Sequence, residues 1–134
     1  MAETLKLTIK SPEKELFSGA VIEVITEGED GKVGILPNHI PMIKSLIPTI
    51  TEFTDAEGKK YKAVTSDGVI KVLNNEAVIL CGACEWPEDI DIKRAQESKS
   101  RSEKRLQEKQ NIDIKRAENS LMRALVRIKA KEII

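Results

Sequence analysis

From residue 4 to residue 10 apolar and polar positions alternate, with Leu5, Leu7 and Ile9 on one face and Lys6, Thr8 and Lys10 on the other. This period-two pattern is that of a strand with one buried face, and the Ser11-Pro12 pair closes it. Further short runs at 14–17, 20–26, 32–36, 43–47, 50–54, 60–66, 69–73 and 77–81 read as strands in the same way. Turn signals separate them: Ser18-Gly19, residues 28–31, Pro37-Asn38, residues 55–58, Asp67-Gly68 and Asn74-Asn75. Asp67-Gly68 and Asn74-Asn75 tolerate the positive φ of tight hairpin turns. Many short strands spaced by turns predict an antiparallel sandwich or barrel. No crossover helix interrupts residues 1–85, which argues against a parallel sheet.

The period changes at Trp86-Pro87-Glu88-Asp89. Proline followed by two acids suits a helix opening, where no donor is needed and negative charge meets the positive end of the dipole. From Ile90 onward there is neither glycine nor proline. Residues 110–113 interrupt the pattern, and Asp113 is placed to cap a second helix. Helices are expected at about 88–108 and 113–132, folded as an antiparallel hairpin. The second has an apolar stripe at Ile114, Ala117, Leu121, Ala124, Leu125 and Ile128. The first offers only Ile92, Ala95 and Leu106, with Ser98 and Ser102 completing the face. Its small contact surface predicts marginal docking, the property of an element that a ligand can switch.

Charge divides the chain at the same place. Residues 1–89 hold nine lysines against fifteen carboxylates, net −6, and residues 90–134 hold thirteen basic against seven acidic residues, net +6. All six arginines (Arg94, Arg101, Arg105, Arg116, Arg123 and Arg127) fall in the second part. The division predicts two domains, 1–86 and 87–134, with different partners. Within the basic part the hexapeptide Ile-Asp-Ile-Lys-Arg-Ala occurs twice, at 90–95 and 112–117.

Arginine suits bidentate capture of phosphate or carboxylate. Arg94 and Arg101 are seven apart and share a helix face, as do Arg123 and Arg127, four apart. In an antiparallel hairpin these four converge near the acids Glu85 and Asp91. Such a group suits a triphosphate, with the acids left for an adenine amino group or a ribose hydroxyl. The same residues also read without a ligand: Asp91 caps a helix, and the arginines are solvated or paired with Glu97 and Glu118. No ligand is assigned to the second hexapeptide.

Other chemistry is sparse. Cys81 and Cys84 form a CxxC pair, but it ends a strand-like run, lacks further zinc ligands, and its i and i+3 positions point to opposite faces of a strand. Two inert, partly buried thiols are expected. His39 has no nucleophile near it in sequence, and there is no phosphate loop or metal-ligand cluster, so no catalytic or metal site is assigned. Glu97, Glu103, Glu108 and Glu118 alternate with the basic residues and would repel nucleic acid. No stretch approaches the roughly 18 apolar residues of a membrane span, and the N-terminus lacks a signal-peptide pattern, giving a cytoplasmic expectation.

The stretch Gly34-Ile35-Leu36-Pro37-Asn38-His39-Ile40-Pro41 and then residues 66–72, followed by a charged hairpin opening Ile-Asp-x-x-Arg-Ala, resembles the epsilon subunit of bacterial F-type ATP synthase across essentially the whole chain. The resemblance implies an α+β fold, mainly β at the N-terminus: an antiparallel β-sandwich of about ten strands followed by a two-helix hairpin. It implies a non-catalytic subunit of the rotary central stalk, at the cytoplasmic face of the bacterial cell membrane and peripheral to it. Its sandwich would bind the gamma subunit and the c-ring, with His39 and Pro41 toward that contact. No nucleic acid partner and no direct membrane insertion are implied.

The hairpin of this family is similar to an inhibitor of ATP hydrolysis. Extended along gamma, its basic second helix (here Lys115, Arg116, Arg123 and Arg127, with Lys129 and Lys131) would reach acidic surfaces of the alpha and beta catalytic subunits. Folded, it would take ATP, with or without Mg²⁺, as a regulatory ligand, no cofactor being obligatory. The matching ATP-binding positions are Glu85, Ile90, Asp91, Arg94, Ala95, Arg101, Arg123 and Arg127. A second reading is a purely structural coupling subunit whose hairpin stays folded and senses no nucleotide.

Overall fold

The computed structural model describes residues 3–108 and 113–133, which divide into two compact units, Met1–Trp86 and Pro87–Ile134. Nine strands make up the first: β1 (Leu5–Lys10), β2 (Glu15–Gly28), β3 (Gly31–Ile35), β4 (Met42–Leu46), β5 (Thr49–Asp55), β6 (Lys60–Thr65), β7 (Gly68–Leu73), β8 (Glu76–Cys81) and β9 (Cys84–Glu85). The alternation in β1 reads directly as burial, with Leu5, Leu7 and Ile9 inside and Lys6 and Lys10 exposed.

The two runs expected at 14–17 and 20–26 are one strand of 14 residues. Ser18-Gly19 is therefore not a turn. The first half of β2 pairs with β1, from Lys10↔Glu15 to Leu5↔Val21. Its second half pairs with β3 and β5, and the register with β5 shifts between Val21 and Glu23. A bulge of this kind bends a strand and re-aims it. One layer thus runs β4-β7-β8-β1-β2, and the other runs β2-β5-β6-β9 with β3 on the free side of β2. Counting β2 once in each layer gives the sandwich its ten strand positions.

One pairing is parallel, contrary to the expectation from missing helices: β1 lies beside β8, from Lys6↔Glu76 to Lys10↔Leu80. The connection between them is the rest of the sandwich, so no crossover helix is needed. Asn74 and Asn75, at φ 51° and 60°, form the two-residue β7–β8 hairpin turn. This is the doubly left-handed conformation of a type I′ turn. Asp67-Gly68 works differently. Gly68 is absent from the positive-φ glycines, and a Cβ there would overlap the Leu80 carbonyl across the ladder. The glycine serves close approach of two strands, not a left-handed turn.

The core holds Leu5, Leu7, Ile9, Val21, Val24, Ile35, Phe53, Ile70, Val72 and Ile79. All four aromatic residues of the chain join one cluster, in which Phe53 lies 4.5 Å from Phe17, 5.1 Å from Tyr61 and 6.2 Å from Trp86 between ring centres. Buried hydroxyls cross three strands as a ladder, with Thr26 Oγ1 to Thr51 Oγ1 and Thr51 Oγ1 to Thr65 Oγ1 both at 2.9 Å. Each satisfies the next, so these polar atoms are buried without an unmet hydrogen bond. Cys81 and Cys84 both face this core. The chain bends at Gly82-Ala83 between β8 and β9, so the opposite-face rule for one continuous strand does not apply. Burial and the neighbouring Cys84 push the Cys81 thiol up to about 12, which leaves it protonated and unreactive at neutral pH.

The second unit opens with a 3-10 turn, Pro87–Asp89, followed by α1 (Ile92–Glu108) and α2 (Ile114–Glu132). The predicted break at 110–112, with Ile112 of the second hexapeptide, lies outside the described residues. Ser102 Oγ donates to Ser120 Oγ at 3.0 Å, midway along the two helices. Lys131, near the end of α2, donates to the Pro87 and Glu88 carbonyls at 3.5 and 3.3 Å. Those two contacts fix an antiparallel pairing. The α2 seam follows the expected apolar stripe at its small residues and departs from it at two bulky ones. Ala117 and Ala124 are buried, whereas Ile114 and Leu125 are 48% and 43% exposed. Small residues at the seam let helix axes approach closely, and the bulky ones are left to flank it.

Candidate functional site

From their aspartates onward the two hexapeptides fold alike, and their shared residues have structural work. Asp91 Oδ1 accepts the Arg94 N–H at 3.1 Å, and Asp113 Oδ1 accepts the Arg116 N–H at the same distance. The Ala95 and Ala117 N–H groups donate to the Asp91 and Asp113 carbonyls at 3.0 Å, the first helical bonds of α1 and α2. Each aspartate is thus an N-cap. Ala95 and Ala117 are each 4% exposed, and Ile90 is also buried. The repeat is a cassette that starts a helix and turns a small residue inward. Its arginine, one position before the buried alanine, is left exposed in both copies.

That spacing sets where the guanidinium groups go. At about 100° per residue, Ala95 and Ser102 lie nearly in line on α1, as do Ala117 and Ala124 on α2. Arg94, Arg101, Arg116 and Arg123 each immediately precede one of these seam residues, and Arg105 and Arg127 follow Ser102 and Ala124 by three. All six therefore sit about 60–120° to the same rotational side of their seams. In an antiparallel pair, those flanks fall on one common side. The antiparallel register also sets Arg127 level with the turn bearing Arg94, and Arg123 one turn further along toward Arg101. Arg94 and Arg101 are exposed, while Arg123 and Arg127 are half-buried and engaged in interactions of their own. Glu85 belongs to β9 of the first unit, half-buried and paired opposite Val64. Lys115 and Arg116 are exposed at the start of α2, but Lys131 is held by the Pro87 and Glu88 carbonyls.

The His39 region is a built loop. The His39 N–H donates to the Leu36 carbonyl at 3.2 Å, and Asn38 has φ 65°. With Pro37 at the second position, this is a type II turn. His39 Nδ1 lies 2.7 Å from the Ile40 carbonyl and must be the donor, so the imidazole braces the loop through one nitrogen. Around it stand apolar side chains that sequence reasoning passed over: Leu36 is 57% exposed, Ile40 74% and Ile43 73%. Pro41 is exposed among them. The available signal was an apolar run in a proline-bounded loop, where a solvated segment would be polar. Leu36 and Ile40 on a braced turn, with Ile43 exposed on the adjoining β4, mark an interaction surface.

A sequence model of the ATP synthase delta/epsilon chain β-sandwich domain matches residues 4–87, and one of its long α-helix domain matches residues 88–132. The chain belongs to the ATP synthase delta/epsilon chain family. It is 52% identical over 109 residues to the ATP synthase epsilon chain of Clostridium kluyveri, covering 81% of this chain and 83% of that one. The epsilon chain of Clostridium botulinum strain Okra is 53% identical, with 81% and 82% covered. The fold is shared with a chain of the Euglena gracilis mitochondrial ATP synthase, in a structure of OSCP, F1 and c-ring. There the TM-score is 0.80 at 20% identity, over 92% of this chain and 78% of that one. A chain of the Tetrahymena thermophila ATP synthase central stalk and c-ring matches with TM-score 0.65 at 14% identity, over 96% and 97%.

Membership of the delta/epsilon family makes this an accessory, non-catalytic chain of an ATP synthase. Among the described residues no group of His, Cys, Asp or Glu is arranged to hold a metal, and no helix is long and apolar enough to cross a membrane.

Proposed function

We propose that this chain is a rotor subunit of the central stalk, bound to gamma and to the membrane-embedded c-ring through its sandwich, and peripheral to the cytoplasmic face of the membrane. The observation behind the coupling role is the braced loop that exposes Leu36, Ile40 and Pro41, with His39 half-buried at its turn and Ile43 exposed on the adjoining β4. Apolar side chains on a braced turn suit the core of a protein–protein interface.

In the same reading the hairpin restrains ATP hydrolysis when it opens and reaches the alpha and beta subunits with Lys115, Arg116, Arg123 and Arg127. ATP favours the folded form. The support is the common side occupied by Arg94, Arg101, Arg123 and Arg127, a concentration of guanidinium that an anion of several charges relieves. Ile90, Asp91 and Ala95 contribute by building the helix start that presents Arg94. A ligand that binds only the folded hairpin stabilises it by about 2.7 kcal/mol at one hundred times its dissociation constant. Against a small seam of alanine and serine, that is enough to shift the population about a hundredfold.

Calorimetric titration of the full chain with ATP and Mg²⁺, beside Arg94→Ala, tests the nucleotide arm. Saturable binding lost in the variant is expected, and no heat at millimolar ATP refutes it. Truncation after Glu88 is expected to raise ATP hydrolysis by the assembled enzyme, and unchanged hydrolysis refutes the inhibitory arm.

A further inference from the structure

The loop that presents Leu36 and Ile40, next to Ile43 on β4, is held from outside as well as by His39. Asn75, 37 residues away in the β7–β8 turn, accepts the Asn38 N–H on Oδ1 at 2.8 Å. Its Nδ2 donates to the Thr4 carbonyl at 2.9 Å, and its own carbonyl accepts the Lys6 N–H at 3.2 Å. Asn38 in turn donates from Nδ2 to Glu3 Oε2 at 3.2 Å. One side chain thereby joins the type II turn, the start of β1 and the β7–β8 hairpin. The turn conformation alone does not require it. Asn74 beside it is also left-handed, at φ 51°, and among the described residues its side chain makes no such tie. Glycine would serve either position for φ.

We propose that Asn75 is a positioning residue for the docking loop, fixing the Leu36–His39 turn so that Leu36, Ile40 and Ile43 meet the membrane-embedded ring as one preformed apolar surface. The proposal rests on the reading of that loop as the ring-docking surface. A loop ordered before contact does not lose conformational freedom on binding, and this is how a residue outside the interface raises affinity. The one side-chain bond that reaches the loop, at about 1 kcal/mol net, corresponds to about fivefold in affinity.

Full-length Asn75→Gly, Asn75→Asp, Asn74→Gly and Ile40→Asp chains test it by two readouts: amide hydrogen exchange at Asn38, and affinity for the purified ring in nanodiscs. Asn75→Gly keeps the backbone conformation and removes both side-chain bonds. It is expected to speed Asn38 exchange and weaken ring binding, each about fivefold, with a melting temperature matching Asn74→Gly. Asn75→Asp keeps the acceptor for the Asn38 N–H and is expected to restore most of both. Unchanged Asn38 exchange in Asn75→Gly overturns the clamp. Faster exchange with undiminished ring affinity, while Ile40→Asp abolishes binding, overturns the positioning role. If neither Ile40→Asp nor Asn75→Gly alters ring affinity although Asn38 is loosened, the docking reading itself has failed.

Discussion

Asp91 occupies the position at which an acid of the nucleotide motif is expected, yet its carboxylate is spent on the Arg94 N–H. Asp113 makes the same bond at the start of α2 and serves as an internal reference. Replacing an N-cap aspartate by alanine costs about 1 kcal/mol, within a range of roughly 0.5–2, and asparagine caps nearly as well. If Asp91 acts through capping alone, Asp91→Asn keeps the bond and loses only a helix-dipole term of roughly 0.3–1 kcal/mol. The dissociation constant for ATP should then rise about twofold in Asp91→Asn and about fivefold in Asp91→Ala. A carboxylate that touched the nucleotide would give a different pattern, because a hydrogen bond to a charged group is worth about 1.5–3 kcal/mol. Asparagine would then weaken binding by more than tenfold, as severely as alanine. Calorimetry on the full chain, with hydrogen exchange of α1 and α2 amides in the same variants, separates the two. Asp113→Ala should loosen the first turn of α2 as Asp91→Ala loosens that of α1. Equal loss of ATP in Asp91→Asn and Asp91→Ala would refute the capping account.

Gly68→Ala drives a methyl group into the Leu80 carbonyl and should destabilise the sandwich by about 1–3 kcal/mol in thermal or denaturant unfolding. Ala124 is fully buried at the helix seam, so Ala124→Leu should separate α1 from α2 at a cost of about 1–3 kcal/mol; in the assembled enzyme, hydrolysis should become more strongly inhibited. The raised Cys81 thiol makes stability pH-dependent on the alkaline side: below about pH 9 folded and unfolded chains are both protonated. Above it only the unfolded chain ionises until about pH 12, so stability should fall by up to about 1.4 kcal/mol per pH unit. Cys81→Ala should flatten that slope in denaturant melts at pH 8, 9 and 10.

The strands of the first unit were legible because one face is buried and the other wet, and β1 shows the alternation without exception. The continuity of β2 was not, since Ser18-Gly19 has the composition of a turn and only its partners β1 and β5 on opposite layers keep it extended. The parallel β1–β8 pair leaves no local trace, being set by how the whole sandwich closes. The start of α2 was readable from Asp113, whereas α1 begins at Ile92 and not near residue 88, because Pro87–Asp89 forms a separate 3-10 turn and Asp91 makes the cap. The α2 stripe was legible in part: Ala117 and Ala124 lie on it and are buried, but hydrophobicity alone also put Ile114 and Leu125 on the contact face. In a tightly packed hairpin small size decides instead, so Ala117 and Ala124 lie inside while Ile114 and Leu125 stay out. Spacing gives the common side of Arg94, Arg101, Arg123 and Arg127 on the hairpin, and the motif singles out His39 and Pro41. The exposure of Ile40 and Ile43 depends on the turn geometry, and the Asn75–Asn38 bond joins residues too distant for any pattern to link.

The parallel pairing of β1 with β8 dictates an order of events on the ribosome. Residues 5–10 emerge first, and β2 covers one of their edges soon afterwards, but the other edge waits until residues 76–81 have been made. Closure of the sandwich is thus a late, long-range step, of the kind that slows folding through the entropy of the intervening chain. Until it occurs, an apolar strand with an unpaired edge is open to association with other nascent chains. Translation stalled before residue 76 should yield aggregates and not a half-built layer, whereas interruption after residue 86 leaves every sandwich strand synthesised.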